Sequence, residues 1–207
     1  MQKTKNSLRL ATAGLATVAA LSGIGGAVGA ATAQEEIDQD FSHAAASNQA
    51  DYDLEPYFQT SGAKAKGFAG TVVLKVKNVG SQRYYQDYPL TTFRINVKTD
   101  KGPEGVDRLI TPRGMNGAHI FDEGFDPETS TRSFTVTLSN PINSGDTATV
   151  AALDFGDGKT KEGRLYNYLE VTQTGRHKED TATANDEQVD SREHTVTDTG
   201  KKNEGLF

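Results

Sequence analysis

The sequence predicts an all-β fold in which two antiparallel sheets pack as a sandwich of about seven strands. Three observations lead to this prediction. Apolar and polar residues alternate in five separate runs, turn residues such as Gly, Asn and Pro separate these runs, and no window has the period of an amphipathic helix. Because each alternating strand has one apolar face, packing two sheets together buries those faces.

The run "TVVLKVKNVG" shows the alternation most clearly. Val72, Leu74 and Val76 share one face, and Lys75 and Lys77 lie on the other. The remaining runs cover 91–102, with Phe93, Ile95 and Val97 on the apolar face; 131–146, with Phe134, Val136 and Leu138; 146–155; and 164–173, with Leu165, Leu169 and Val171 opposite Tyr166 and Tyr168. Weaker strand candidates lie at 52–58 and 108–111, and the least regular segment is 101–130.

The N-terminus has the pattern of a secretory signal peptide. Lys3, Lys5 and Arg9 precede an uncharged run, and Ala31-Thr32-Ala33 forms an A-x-A cleavage site. We therefore expect a signal peptide at 1–33, cleavage before Gln34 and a secreted protein without a membrane span, either released or associated with the cell envelope. An uncleaved membrane anchor is the alternative.

The rest of the chain divides into three parts. Residues 34–50 predict a flexible linker, 51–175 the β-sandwich domain, and 176–207 a polar and mostly disordered tail in which "EHTVTD" is a candidate edge strand. Without the three basic residues of 1–33, 19 Lys and Arg face 28 Asp and Glu, a net charge of −9. Such a charge disfavours nucleic acid and anionic lipid as partners.

Residue types exclude several kinds of chemistry. The chain has no cysteine, which rules out thiolate metal sites, cysteine nucleophiles and disulfides. Its four histidines are scattered, and there is no G-x-S-x-G sequence to present a nucleophilic serine. We therefore predict no catalytic residues, no cofactor and no enzyme activity.

The stretch "DFGDGKT", 154–160, has several interpretations. A kinase motif would need the other kinase signatures, and a calcium loop would need oxygen ligands where Gly156, Gly158 and Leu165 stand. A Gly-Asp-Gly sequence between two β runs is typical of a hairpin turn with positive φ values. We predict that hairpin, and no metal or phosphate site.

Two resemblances to known families support the fold. "DFGDGKT" resembles the hairpin of the polycystic-kidney-disease (PKD) Ig-like domain, although Leu153 stands where that family has Trp. "TVVLKVKNVG", "FRINVKTDKG" and "SNPINSGDTATV" together resemble bacterial extracellular Ig-like modules of the cell-adhesion-related type, over about residues 66–156. The resemblance implies an Ig-like sandwich and an exported, non-catalytic module.

Two groups of residues are candidates for a binding surface. Tyr84, Tyr85 and Tyr88 form an aromatic cluster of a kind that favours recognition, and Asp122, Glu123 and Asp126 form an acidic cluster. A further acidic pair is Asp51 and Asp53. Carboxylates on loops can bind Ca²⁺, so calcium is an alternative to a solvated acidic surface.

The function predicted from these patterns is binding of an extracellular or envelope protein or glycan. The alternative is an enzyme accessory or carbohydrate-binding module of an exported system. A concave strip formed by Tyr84, Tyr85, Tyr88 and Tyr166 would favour the carbohydrate module, and a flat polar sheet would favour protein contact.

Overall fold

Ten β-strands form two five-stranded sheets in the computed structural model, which describes residues 50–207. The strands are β1 Leu54–Thr60, β2 Gly70–Asn78, β3 Thr91–Lys101, β4 Ile110–Gly114, β5 His119–Asp126, β6 Thr131–Leu138, β7 Thr147–Phe155, β8 Tyr166–Gly175, β9 Val189–Asp190 and β10 Thr195–Thr197. The predicted signal peptide and all but the last residue of the predicted linker lie outside the described residues. Within 50–207 there is no helix long and apolar enough to cross a membrane.

The order of strands is β10-β1-β2-β7-β4 in the first sheet and β5-β6-β3-β8-β9 in the second. Every neighbouring pair is antiparallel except β1 and β10, which run parallel. The prediction of an all-β sandwich is confirmed, with ten strands where the sequence indicated about seven. All seven of the expected runs contain a strand.

Both sheets bury the faces that the alternation predicted. Leu74 is 2% exposed and Phe134 0%, and the other apolar positions named above are likewise buried. The pairing brings Phe93 opposite Val136 on β6, and Ile95 opposite Val171 on β8. Burial of these side chains is the main source of stability in a chain without disulfides.

The segment 101–130 is more regular than expected, because it contains β4 and the eight-residue edge strand β5. A bulge between Asp122 and Gly124 interrupts the pairing of β5 with β6, and Gly124 has a φ of 99°. The bulge breaks the two-residue period that identifies a strand in a sequence. The loop from Tyr84 to Leu90, by contrast, contains no strand.

The expectation of a mostly disordered tail at 176–207 was wrong. This segment supplies β9 and β10, the second of which lies within the candidate strand "EHTVTD". Phe207 is fully buried, its ring centroid is 5.9 Å from that of Phe155, and its backbone exchanges two hydrogen bonds of 2.8 Å with Asn167. Polar residues of the segment are buried with hydrogen-bond partners, which is why its low apolar content was misleading.

The predicted hairpin at Gly156-Asp157-Gly158 was also wrong in its details. Strand β7 belongs to the first sheet and β8 to the second, so 156–165 connects the two sheets. The tight turn lies further along, where the Thr160 N–H donates to the Gly163 carbonyl, and Gly163 has the positive φ. Gly158 is needed for space, because a Cβ there would lie 2.5 Å from the Leu165 carbonyl oxygen.

Candidate functional site

The loop between β2 and β3 carries the predicted tyrosine cluster, and Tyr84 forms its buried base. Tyr84 is 3% exposed, and its hydroxyl donates to Asp180 Oδ2 over 2.7 Å. The Tyr84 hydroxyl oxygen in turn accepts hydrogen bonds of 2.8 Å from Gln173 Nε2 and from the His177 N–H. Burial raises the pKa of Tyr84 above its usual value. Tyr84 is therefore a structural residue and not part of a binding surface.

Asn78 holds the other side of this loop. It is fully buried, and its side-chain amide donates to the carbonyls of Gln82 and Ile142, both over 2.8 Å. Its Oδ1 accepts a bond from the Gly80 N–H, and Tyr84 exchanges backbone hydrogen bonds with Ile142. These contacts fix both ends of the segment 78–84, so the residues that follow are presented from a rigid base.

Tyr85, Tyr88 and Leu90 form the exposed part, which we call the aromatic loop. Tyr88 is 91% exposed, Tyr85 45% and Leu90 38%. The Tyr85 hydroxyl donates to Asp87 Oδ1 over 2.7 Å, and the Arg83 guanidinium lies 5.8 Å from the Tyr85 ring centroid. The Tyr88 side chain has no contact of this kind among residues 50–207, so its ring is available to a partner.

The aromatic strip that would have favoured a carbohydrate module is not formed. Tyr84 is buried, and Tyr166 begins β8 opposite Lys101. Because β3 begins at Thr91 and ends at Lys101, Tyr166 and the aromatic loop lie at opposite ends of the sandwich. Only Tyr85 and Tyr88 of the four remain together on the surface.

The acidic residues predicted as a cluster have separate partners. Asp122 accepts a 2.5 Å bond from Arg132 Nη2 and a 3.0 Å bond from the Gly124 N–H. Asp126 accepts bonds from Thr129 Oγ1 and the Glu128 N–H, which lower the pKa of its carboxyl. Asp53, whose pKa is raised by partial burial, accepts a bond from Asn185. Within residues 50–207, no three acidic or histidine side chains converge as metal ligands would.

Glu123 and Asp126 line an open groove of about 500 Å³ on the outer face of the second sheet. We call it the outer groove; it is lined by Arg94, Asn96, Lys98, Glu123, Gly124, Phe125, Asp126, Thr129, Thr131 and Ser133. Its floor is the cross-strand pair Asn96 and Ser133, in which Ser133 Oγ donates to Asn96 Oδ1 over 2.9 Å. The Asn96 amide nitrogen Nδ2 has no hydrogen-bond partner among the described residues.

Ion pairs form the walls of the outer groove. Arg94 Nη2 lies 2.8 Å from Glu123 Oε2, and the other Glu123 oxygen accepts a 2.5 Å bond from Thr135. Lys98 Nζ lies 2.5 Å from Glu170, whose side chain is outside the groove lining. The two cationic and two anionic lining residues balance, so the groove has no net charge to attract an ion.

The end of the sandwich opposite the aromatic loop contains a buried cation with a structural role. Arg108 is 4% exposed, and it donates to the carbonyls of Gly156 (2.8 Å) and Phe68 (2.9 Å) and to Asn167 Oδ1 (3.2 Å). Its guanidinium lies 4.9 Å from the Phe155 ring centroid, and burial lowers the pKa of Arg108 to about 10. These bonds join the β3–β4 connection, which contains Arg108, to the β1–β2 connection, the β7–β8 connection and strand β8.

A second groove of about 420 Å³ lies beside β1 and β2, near Lys64. The Lys64 ammonium donates to the carbonyls of Phe68 (2.5 Å) and Ala65 (3.1 Å), and burial lowers the pKa of Lys64 to about 8. The Lys64 stem also lies across Gly70, where a Cβ would be 2.4 Å from Lys64 Cδ. Lys64 is thus engaged by its own loop.

Sequence reasoning missed the floor of the outer groove. Asn96 and Ser133 lie on the polar faces of β3 and β6, but nothing local signals that residues 37 positions apart form one pair. The signal that could have been used is register, because two strands of matching period with polar residues at matching positions present a polar face when paired.

Comparison with known proteins gives little further information. No protein-family model matches the chain, and no curated protein does. Among solved structures, the chain is similar to one described as "The unique CBM3- of Hungateiclostridium clariflavum", with a TM-score of 0.40 and 8% identity over 60% of this chain and 94% of that chain. At this level of similarity the comparison assigns no ligand to the chain.

Proposed function

We propose that the protein is exported and acts, without catalysis, as a binding module for another extracellular or envelope protein. The observation that carries the proposal is the 91% exposure of Tyr88 on a loop whose base is fixed by buried side chains. Large aromatic side chains cost free energy when they are left in water, and they bring extensive contact area to an interface at a low entropic cost.

The architecture supports the same proposal. Rigid β scaffolds present binding residues on their connecting loops, and the buried Tyr84 and Asn78 anchor this loop. The N-terminal pattern of basic residues, apolar run and A-x-A site supports export. An accessory or carbohydrate-binding module is the second candidate, favoured by the hydrogen-bonding side chains of the outer groove.

The proposal is tested by affinity capture from extracts of the producing cells' surface, with the purified protein as bait. Tyr88→Ser is expected to abolish retention of a specific protein, because aromatic anchors dominate interface energetics. Leu109→Ser is the matched control, since Leu109 is 75% exposed and lies at the opposite end of the sandwich. Equal retention by wild type, Tyr88→Ser and Leu109→Ser would contradict a role for the aromatic loop.

A further inference from the structure

We infer that the outer groove is a binding site for an uncharged oligosaccharide, separate from the aromatic loop. The two sites do not overlap, because no residue from 84 to 90 lines the groove. The inference rests on the shape of the groove, its balanced charge and the hydrogen-bonding groups of its floor.

The size and shape of the groove fit a short polymer. Its volume of about 500 Å³ is within the range of small-molecule sites in proteins, and the groove is open at the surface. The bulge in β5 contributes to this shape. Gly124 has a φ of 99° and no atom within 4 Å of where its Cβ would be, so the strand bends there without a side chain entering the groove.

The charges lining the groove exclude ions as its preferred ligand. Arg94 is already paired with Glu123, and Asp126 accepts hydrogen bonds from its own turn. An anionic ligand would have to compete with Glu123 for Arg94, and a cationic ligand would have to compete with Arg94 for Glu123. A neutral ligand can bind without breaking either contact.

The hydrogen-bonding groups require a ligand that both donates and accepts. Asn96 Nδ2 offers free N–H donors, while the carboxylate of Asp126 and the carboxylate of Glu123 offer further acceptor lone pairs. Thr129, Thr131 and Ser133 add hydroxyl groups at the edge and floor. A row of sugar hydroxyls satisfies both kinds of group, and Phe125 adds an apolar surface beside them.

A peptide is a poorer fit to the same groove. Peptides that bind sheets in an extended form pair with a free strand edge. The floor strands β3 and β6 are each hydrogen-bonded on both sides, β3 to β6 and β8 and β6 to β3 and β5. The one free edge beside the groove, that of β5, lies on the side of β5 away from this floor. Recognition here therefore depends on side chains that project from a sheet face.

The test is an NMR titration of isotope-labelled protein with four probes. Two are neutral tetrasaccharides, one of β-1,4-linked glucose and one of β-1,4-linked N-acetylglucosamine; the third is a tetrasaccharide of uronic acids, and the fourth is an uncharged tetrapeptide. We expect a neutral tetrasaccharide to shift the Asn96 side-chain amide and the Gly124 backbone amide. The inference would be overturned if only the peptide or only the uronic acid tetrasaccharide shifted these resonances. It would also be overturned if none of the four probes shifted them at millimolar concentration.

Variants then assign the contact. Asn96→Ala is expected to lower the association constant for the neutral sugar about tenfold, because one hydrogen-bonding side chain is lost. Thr137→Val is the control, since Thr137 lies on the same outer face of β6 but does not line the groove. An unchanged affinity in Asn96→Ala would contradict the inference, and an unchanged affinity in Tyr88→Ser is expected whether or not the aromatic loop binds a protein.

Discussion

Tyr84 donates its phenolic hydrogen to Asp180 over 2.7 Å, and the bond joins residues 96 positions apart in the chain. The Asp180 side chain has no exposed surface, so this carboxylate depends on protein donors in place of water. The contact attaches the C-terminal segment to the loop between β2 and β3. It also explains why Tyr84 faces the interior while Tyr85 faces solvent.

Removal of the Tyr84 hydroxyl should therefore destabilise the fold. Tyr84→Phe removes the 2.7 Å donor of Asp180 Oδ2 and the acceptor of the His177 N–H, and the loss of such partners in the interior costs about 1–3 kcal/mol. Urea unfolding measures the loss. Tyr166→Phe is the control, because the Tyr166 hydroxyl has no hydrogen-bond partner among residues 50–207. Equal stability of the two variants would mean that the Tyr84 network contributes nothing.

Phe207→Ala should destabilise the protein by about 3–5 kcal/mol, the range for truncating a buried aromatic residue. The side chain is fully buried and packs against the ring of Phe155. Thermal and denaturant unfolding measure the effect. Lys202→Ala, an exposed position in the same segment, should change little. If Phe207→Ala had the same melting temperature as the wild type, the C-terminal segment would not be packed on the sandwich.

Gly158→Ala should cost about 1–3 kcal/mol through overpacking. Its Cβ would lie 2.5 Å from the Leu165 carbonyl oxygen and 2.9 Å from the Gly67 carbonyl oxygen, and both are backbone atoms that cannot move independently. Gly156→Ala is the control, because its nearest atom is the Leu109 side chain at 3.2 Å. A larger loss in Gly156→Ala than in Gly158→Ala would contradict this account of the connection.

Acid should weaken the 156–165 connection between β7 and β8, because it protonates Asp157. The hydrogen bond from Arg164 lowers the pKa of Asp157 below 3.8, so the native state releases this proton more readily than the unfolded chain does. The stabilisation is thus present above the unfolded pKa, and it is lost as the pH falls from about 3.8 through the folded value.

Unfolding of wild type and Asp157→Asn between neutral pH and pH 2 tests this linkage. Asp157→Asn should flatten the acid limb of the stability profile, and Arg164→Met should do the same, since it removes the partner. The acid limb of the double variant should then have nearly the same slope as that of either single variant. Identical acid limbs in wild type and all variants would mean that the pair forms no linkage.

Local patterning predicted the strands better than it predicted their surroundings. A two-residue period depends only on the chain nearby, and Leu74 and Phe134 were oriented correctly on that basis. Strand β5 was missed because the bulge at Gly124 breaks the period. The C-terminal segment was missed because buried Ser191 and Asp186 rely on hydrogen bonds and ion pairs instead of apolar surface.

The candidate sites depend on contacts that no local pattern contains. The exposure of Tyr88 follows from its place in a polar loop, which the sequence indicated. The burial of Tyr84 depends on Asp180, and the floor of the outer groove depends on the register between Asn96 and Ser133. Such pairings become visible only when the strand order is known.

The parallel pairing of β1 with β10 has a consequence for when the protein can fold. Phe58 on β1 lies opposite Thr195, so the first strand of the described domain cannot complete its pairing until residues 195–197 have been synthesised. Contacts between residues so distant in sequence slow folding, because a long loop must close before they form. A ribosome-bound chain that lacks residues 195–207 would remain without this edge, and without the burial of Phe207. Residues 195–207 therefore complete the edge of the first sheet and the packing around Phe155 only after the other strands of the described domain have been synthesised.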